Sequence, residues 1–171
     1  MESESLPEPP YSNSFLDGLH NVFVFTTVDD VVYEIKFVPS TDFFTDYESL
    51  DVNVFEMIIG IKDNPLGGRL RADRRVAPTI FGIFEAFFIS HRQVFIYICD
   101  SSDGRAEVRH RKFDGWFFSQ RAKFESHDIA KVDRFIKTDG DAIYLSLIMS
   151  RRNPKLGRVV GVFMNLGEEE K

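Results

Sequence analysis

The sequence has little cysteine, no long apolar run and few basic residues in its first 63 positions. Cys99 is the one cysteine among 171 residues, which excludes an intramolecular disulfide framework and a multi-cysteine zinc cluster. The longest apolar runs have the length of a β-strand, too short to cross a bilayer. The acidic, polar start Met1–Ser5 lacks the cationic and apolar pattern of a secretory signal. These absences predict a cytoplasmic protein with no membrane contact.

Charge is distributed unevenly along the chain. Residues 1–63 hold 13 acidic and 2 basic side chains, whereas residues 64–167 hold 11 acidic and 18 basic ones. Such asymmetry can guide a charged partner. Acidic and basic elements that lie side by side and neutralise one another would explain the same pattern.

The composition supports one domain with an aromatic core, because 43% of the residues are hydrophobic and 18 of them are Phe. We expect a flexible N-terminal segment (1–14), a single α+β domain (15–167) and an acidic tail (168–171). Hydrophobic periodicity predicts strands at 21–27, 31–38, about 52–62, 94–99, 129–137 and 142–150. It predicts helices at about 74–91, from Arg105 to about Phe117, and after Asn153-Pro154. The order is βββαβαββα, a mixed, mostly antiparallel sheet of about six strands with helices packed on it.

The stretch Val94–Phe117 is the best candidate for a site. Val94–Cys99 is typical of a strand buried on both faces, and it ends at Asp100-Ser101-Ser102-Asp103-Gly104. Asp100 and Asp103 could share a divalent cation such as Mg²⁺. Alternatively, Ser101, Ser102 or Asp103 caps the following helix. Cys99 fits a buried structural thiol better than a nucleophile, because no histidine can be assigned to it.

The helix after this turn has the densest basic segment. Arg105, Arg109, Arg111 and Lys112 could meet phosphate or an acidic protein surface, and Trp116 could stack on a ligand. A solvated helix face, with Trp116 in the core beside Phe113 and Phe117, explains the same residues. Two shorter basic groups are Arg69, Arg71, Arg74 and Arg75, and Arg151, Arg152, Lys155 and Arg158. Only a face shared by all three groups would indicate a nucleic-acid surface.

Two segments of this region carry a resemblance to a known family. Ile98-Cys99-Asp100-Ser101-Ser102-Asp103-Gly104 and Arg111-Lys112-Phe113-Asp114-Gly115-Trp116-Phe117 resemble the signature of a small bacterial family known only as a domain of unknown function. The similarity covers most of residues 21–165. It implies a fold shared with bacterial relatives and does not indicate an activity.

The predicted topology is similar to the first part of the ribonuclease H fold. In that fold, a first-strand aspartate, a first-helix glutamate and a fourth-strand aspartate hold two metal ions for phosphodiester hydrolysis. Glu85 and Asp100 match the helix and fourth-strand positions. The first predicted strand, 21–27, has no carboxylate, and a hairpin follows where that fold adds a parallel strand.

No complete catalytic motif is present, and no histidine pair has the spacing of zinc ligands. With the charge asymmetry, this favours a non-catalytic, regulatory interaction module without a cofactor. It would bind an acidic protein partner through Arg105, Arg109, Arg111, Lys112 and Trp116. The alternative is a metal-dependent nucleic-acid phosphodiesterase that uses Glu85, Asp100 and Asp103 with Mg²⁺ or Mn²⁺.

Overall fold

The computed structural model describes residues 7–16, 18–40, 42, 44, 47–99, 103–124 and 128–168. They form a seven-stranded sheet with helices on both faces. In chain order the elements are β1 (Asn13–Leu16), β2 (Val22–Thr26), β3 (Val32–Pro39), α1 (Tyr47–Leu50), β4 (Asn53–Asp63), α2 (Val76–Phe87), β5 (Gln93–Cys99), α3 (Ala106–Ser119), α4 (Arg121–Phe124), β6 (Ile129–Thr138), β7 (Asp141–Ser150) and α5 (Leu156–Met164).

The strands lie in the order β1-β2-β3-β4-β5-β7-β6. Neighbours β4 and β5 are parallel because α2 carries the chain back between them, and every other pair is antiparallel. The Asp-Gly turn predicted between the last two strands is confirmed, since Thr138 pairs with Asp141 and Gly140 has a φ of +87°. The α+β class is confirmed. The expected count of six strands was wrong, because β1 adds a seventh.

The additional strand β1 begins inside the segment that we expected to be a flexible lead-in. Its anchor is Tyr11, which is 8% exposed and stacks on Phe25 at a ring distance of 5.9 Å. The Tyr11 amide donates to the hydroxyl of Thr79 at 2.9 Å. Tyr11 therefore attaches the described part of this segment to the sheet and to α2, whereas residues 1–6 lie outside the described ranges.

The first face of the sheet carries α2 and α3 over an aromatic core. The alternation predicted for β3 is confirmed, with Tyr33, Ile35 and Phe37 buried on this face. Phe95 of β5 lies 4.8 Å from the ring of Phe84 in α2. Phe113 and Phe117 attach α3 to the same core.

The second face is covered by α1 and α5. Val94 and Ile96 of β5 are fully buried there against side chains that include Val159 and Phe163 of α5. Because Phe95 is equally buried on the first face, the prediction that this strand is buried on both sides is confirmed.

One helix ends earlier, and another begins later, than the sequence predicted. α2 stops at Phe87, short of position 91, because the Gln93 side-chain amide donates to the Phe87 carbonyl and accepts from the Ile89 and Ser90 amides. α5 begins at Leu156, after a turn in which Asn153 accepts from the Lys155 amide. Within the described ranges, every helix is too short or too polar to cross a membrane.

Candidate functional site

Of the three arginines at the start of α3, two form ion pairs with nearby carboxylates and the third is exposed. Arg109 forms an ion pair with Asp103, and Arg111 reaches Glu107, one helical turn earlier, at 3.1 Å. Arg105 is exposed. Exposed pairs of this kind stabilise little, yet they offset charge that a partner would otherwise meet. This end of α3 is therefore less cationic than its sequence indicates.

Lys112 and Trp116 lie further along α3, where they line a cavity that Arg105, Arg109 and Arg111 do not reach. The Lys112 ammonium is 4.9 Å from the centre of the Trp116 ring, a cation–π contact. No carboxylate of the described residues lies within ion-pair distance of Lys112. Partial burial lowers the pKa of Lys112 below its usual value, because the charged form loses water there.

Arg71 and Arg74, from the loop before α2, complete a cavity with these two residues. The cavity has a volume of about 450 Å³ and also contacts Tyr33, Asp73 and the first turn of α2. We call it the basic groove. Neither Arg71 nor Arg74 has a carboxylate partner in the described part of the chain. The groove therefore joins two of the three basic groups of the sequence across the contact between α2 and α3.

Of the acidic residues that the structure describes, Asp73 alone lines the basic groove. One carboxylate oxygen accepts from the Tyr11 hydroxyl at 2.6 Å, and the other accepts from the Arg75 amide at 2.9 Å. The Arg75 guanidinium stacks on the Tyr11 ring at 3.8 Å. Because both donors are neutral, they do not cancel the charge of the carboxylate, and Asp73 offsets one of the three cations Arg71, Arg74 and Lys112. The groove keeps an excess of two positive charges.

Tyr33 forms part of the floor of the groove. It is 6% exposed, and its hydroxyl has no hydrogen-bond partner among the described residues. Burial raises the pKa of Tyr33, and the nearby Asp73 carboxylate and Tyr11 side chain raise it further. The hydroxyl therefore stays protonated at neutral pH and is a hydrogen-bond donor without an acceptor.

One of the two alternatives for Trp116 placed it in the core with Phe113 and Phe117. Those two phenylalanines are buried, at 1% and 7% exposure, and their part of the prediction is confirmed. Trp116 is only half-buried and lines the groove. The helix turns Trp116 about 100° away from Phe117, which takes it from the sheet toward the loop before α2.

The acidic turn after β5 is described only in part, since Asp100, Ser101 and Ser102 lie outside the described residues. Asp103 is exposed, and it accepts from the Arg105 amide at 3.1 Å and from the Arg109 guanidinium. The Arg109 guanidinium lowers the pKa of Asp103 below its usual value. Arg105, the residue at the helix cap, makes no side-chain cap bond. Asp103 thus bonds both to the residue before α3 and to Arg109 in the first turn of the helix.

Glu85 lies at the opposite end of β5 from Asp103. It lines a cavity of about 560 Å³ with His91 and Arg152, close to where β5 begins. Asp103 follows the other end of this seven-residue strand, about 20 Å away at the rise of a β-strand. The structure therefore does not bring Glu85 and Asp103 together. Cys99, between them, is buried as expected for a structural thiol.

A second polar cluster lies between α3 and the β6–β7 hairpin. His110, Asp114 and Asp133 have potential metal-ligand atoms within 4.8 Å of one another. The ammonium of Lys131, which is 6% exposed, contacts Asp114 at 2.5 Å and also contacts Asp133. Since an ammonium already lies between the two carboxylates, these residues do not fit a divalent cation while Lys131 is present.

The third basic group is separate from the basic groove. Arg151 and Arg152 lie in the turn after β7, where Arg151 faces Asp128 at 3.7 Å. Lys155 donates to the carbonyl of Ser49 at 2.9 Å, and Arg158 belongs to α5 on the second face of the sheet. The shared face that would indicate a nucleic-acid surface is therefore absent among the described residues.

The sequence interpretation included Lys112 and Trp116 but not the residues that complete the groove with them. Arg71 and Arg74 had been noted only as a shorter basic group, and Tyr33 only as a buried strand position. The useful signal was the run of arginines directly before α2, together with a lysine one helical turn before the single tryptophan.

Comparison with known proteins gives one match. The model of the family of unknown function DUF6169 matches residues 72–165, a range that contains Arg74, Lys112 and Trp116 but not Arg71 or Tyr33. No curated protein and no solved structure matches the chain. The match covers more than half of the 171 residues, and the chain therefore belongs to DUF6169, a family of unknown function.

Proposed function

We propose that the protein is a non-catalytic interaction module that binds an acidic segment of a partner protein in the basic groove. The observation that carries this proposal is the environment of Lys112. Lys112 is exposed, its ammonium lies 4.9 Å from the centre of the Trp116 ring, and it has no carboxylate partner among the described residues. An anionic ligand would supply the missing counter-charge.

The other walls of the groove support a peptide ligand of mixed character. Arg71 and Arg74 add two guanidinium groups, which pair with carboxylates through two parallel hydrogen bonds. Val76, Ala77 and Pro78 add an apolar wall. A peptide segment with acidic side chains and some apolar surface can pair with the arginines and pack against the apolar wall.

The start of α3 has a supporting role in this proposal. Arg105, Arg109 and Arg111 are exposed on the helix that also carries Lys112 and Trp116. Their charges increase the rate at which an acidic partner approaches, an effect that salt weakens. Arg109 and Arg111 already have carboxylate partners, so direct contact with the ligand would stabilise these two residues less than it would stabilise the cations of the groove.

Trp116 is the one tryptophan of the chain, so its fluorescence reports directly on the groove. We expect hexaglutamate to change this fluorescence saturably and hexalysine to leave it unchanged. The double variant Arg71→Ala, Arg74→Ala should bind hexaglutamate at least about tenfold more weakly, because each arginine contributes about 1 kcal/mol.

The matched control is the double variant Arg105→Ala, Arg111→Ala, which removes the same charge from the same molecule outside the groove. We expect it to retain hexaglutamate affinity within about threefold and to lower mainly the association rate. Equal losses in both variants, or no fluorescence response in wild type, would contradict the proposal.

A further inference from the structure

The basic groove offers more positive charge than one carboxylate can balance. Arg71, Arg74 and Lys112 contribute three cations, and the Asp73 carboxylate offsets one of them, which leaves two positive charges without a counter-charge in the groove. The first turn of α2 also lines the groove, and its aligned peptide dipoles add partial positive charge. A ligand group with about two negative charges matches this potential best.

The floor of the groove adds a hydrogen-bond donor. The Tyr33 hydroxyl is a donor without an acceptor among the described residues, on a side chain that is 6% exposed. The hydroxyl oxygen itself keeps access to solvent through the groove, so it is free to donate to an oxygen of a ligand bound there. A carboxylate whose two oxygens face the cations has no third oxygen for Tyr33.

We infer that the anchor of the bound segment is a phosphate monoester, carried by a phosphorylated side chain of the partner protein. A phosphate monoester has a charge of about −1.5 to −2 at pH 7 and three acceptor oxygens. Two oxygens pair with the cations of the groove and the third accepts from Tyr33. Clusters of arginine recognise phosphorylated segments by this chemistry. The inference rests on the proposed function, because it names the ligand group of the same groove.

The test compares three peptides that differ only at the central residue between flanking alanines, which is phosphoserine, glutamate or serine. Trp116 fluorescence measures each affinity at pH 7.5. We expect the phosphoserine peptide to bind at least about tenfold more tightly than the glutamate peptide, and the serine peptide not to bind.

The variant Tyr33→Phe separates the role of the hydroxyl from that of the ring. It keeps the stacking of residue 33 on Phe25 and removes no hydrogen bond within the described protein, so we expect it to fold normally. Its affinity for the phosphoserine peptide should fall about tenfold, and its affinity for the glutamate peptide should change less than threefold.

The outcomes separate this inference from the proposed function. Equal binding of the phosphoserine and glutamate peptides, or an unchanged phosphoserine affinity in Tyr33→Phe, overturns the inference and leaves an acidic-peptide module. Binding of inorganic phosphate as tightly as the phosphoserine peptide also overturns it, because the peptide would then contribute nothing. Failure of all three peptides and of hexaglutamate overturns both.

Discussion

The substitution Lys131→Met removes one ammonium and keeps most of the side-chain volume. In wild type this ammonium bonds to Asp114 and Asp133, and the Ser146 hydroxyl donates to the same Asp133 oxygen at 2.7 Å. Without it, two carboxylates within 4.8 Å of each other lose their counter-charge. At an effective dielectric constant of about 20, two such charges repel by about 3 kcal/mol.

Solvent reduces this figure, because the side chains of Asp114 and Asp133 are 26% and 42% exposed. We therefore expect Lys131→Met to lower the free energy of unfolding by about 2–3 kcal/mol, at or below the range for breaking a buried ion pair. Urea denaturation followed by Trp116 fluorescence measures it. Lys137→Met, on the same strand but exposed, is the matched control and should change stability by less than about 0.5 kcal/mol.

The same variant tests the conclusion that Lys131 occupies the place of a metal ion. Mg²⁺ or Mn²⁺ should raise the melting temperature of Lys131→Met, in which His110, Asp114 and Asp133 are left without an internal cation, and should leave wild type unchanged. A loss below about 0.5 kcal/mol, or metal stabilisation of wild type alone, would refute the reasoning.

Three other predictions follow from single residues. Burial lowers the pKa of Lys112, so this side chain should lose its charge below the ordinary lysine value of 10.5. We therefore expect the affinity for hexaglutamate to begin falling below pH 10.5 as the pH is raised. A binding titration that stays flat up to pH 10.5 contradicts this. The pKa of Asp103 is lowered in the folded state, so its charged form stabilises the fold above pH 3.8, and this stabilisation is lost as the pH falls below that value. The difference in stability between wild type and Asp103→Asn should therefore disappear in acid. Gly140 has a positive φ, so Gly140→Ala should destabilise the protein by about 1–2 kcal/mol. Gly161 lies on the open surface of α5, so Gly161→Ala should stabilise the protein by about 0.5–1 kcal/mol. Thermal unfolding measures both changes.

The sequence predicts those elements whose local pattern and tertiary environment agree. β5 is an uninterrupted apolar run, and the β6–β7 hairpin has an Asp-Gly turn between two apolar strands. For both elements, the local sequence pattern alone predicts the observed structure. β1 could not be predicted in this way, because the side chains of Asn13–Leu16 are exposed and its position depends on Tyr11 and on pairing with β2.

The candidate site was predictable only where its residues are close in sequence. Lys112 and Trp116 are one helical turn apart, so a shared position on the helix could be inferred. Arg71 and Arg74 meet them through the packing of α2 on α3, and Tyr33 reaches the groove from a strand at the floor. The Lys131 cluster was missed for the same reason, since it joins α3 to two strands of the hairpin.

The most direct test of the central claim is to locate the bound ligand by NMR. The indole N–H of Trp116 gives one resonance in ¹⁵N-labelled protein, because the chain has one tryptophan. On titration with hexaglutamate, we predict that this resonance shifts saturably, together with the amides of residues 71–74, and that Arg71→Ala, Arg74→Ala abolishes the shift. Shifts confined to residues 105–111, with the indole resonance unmoved, would contradict the account.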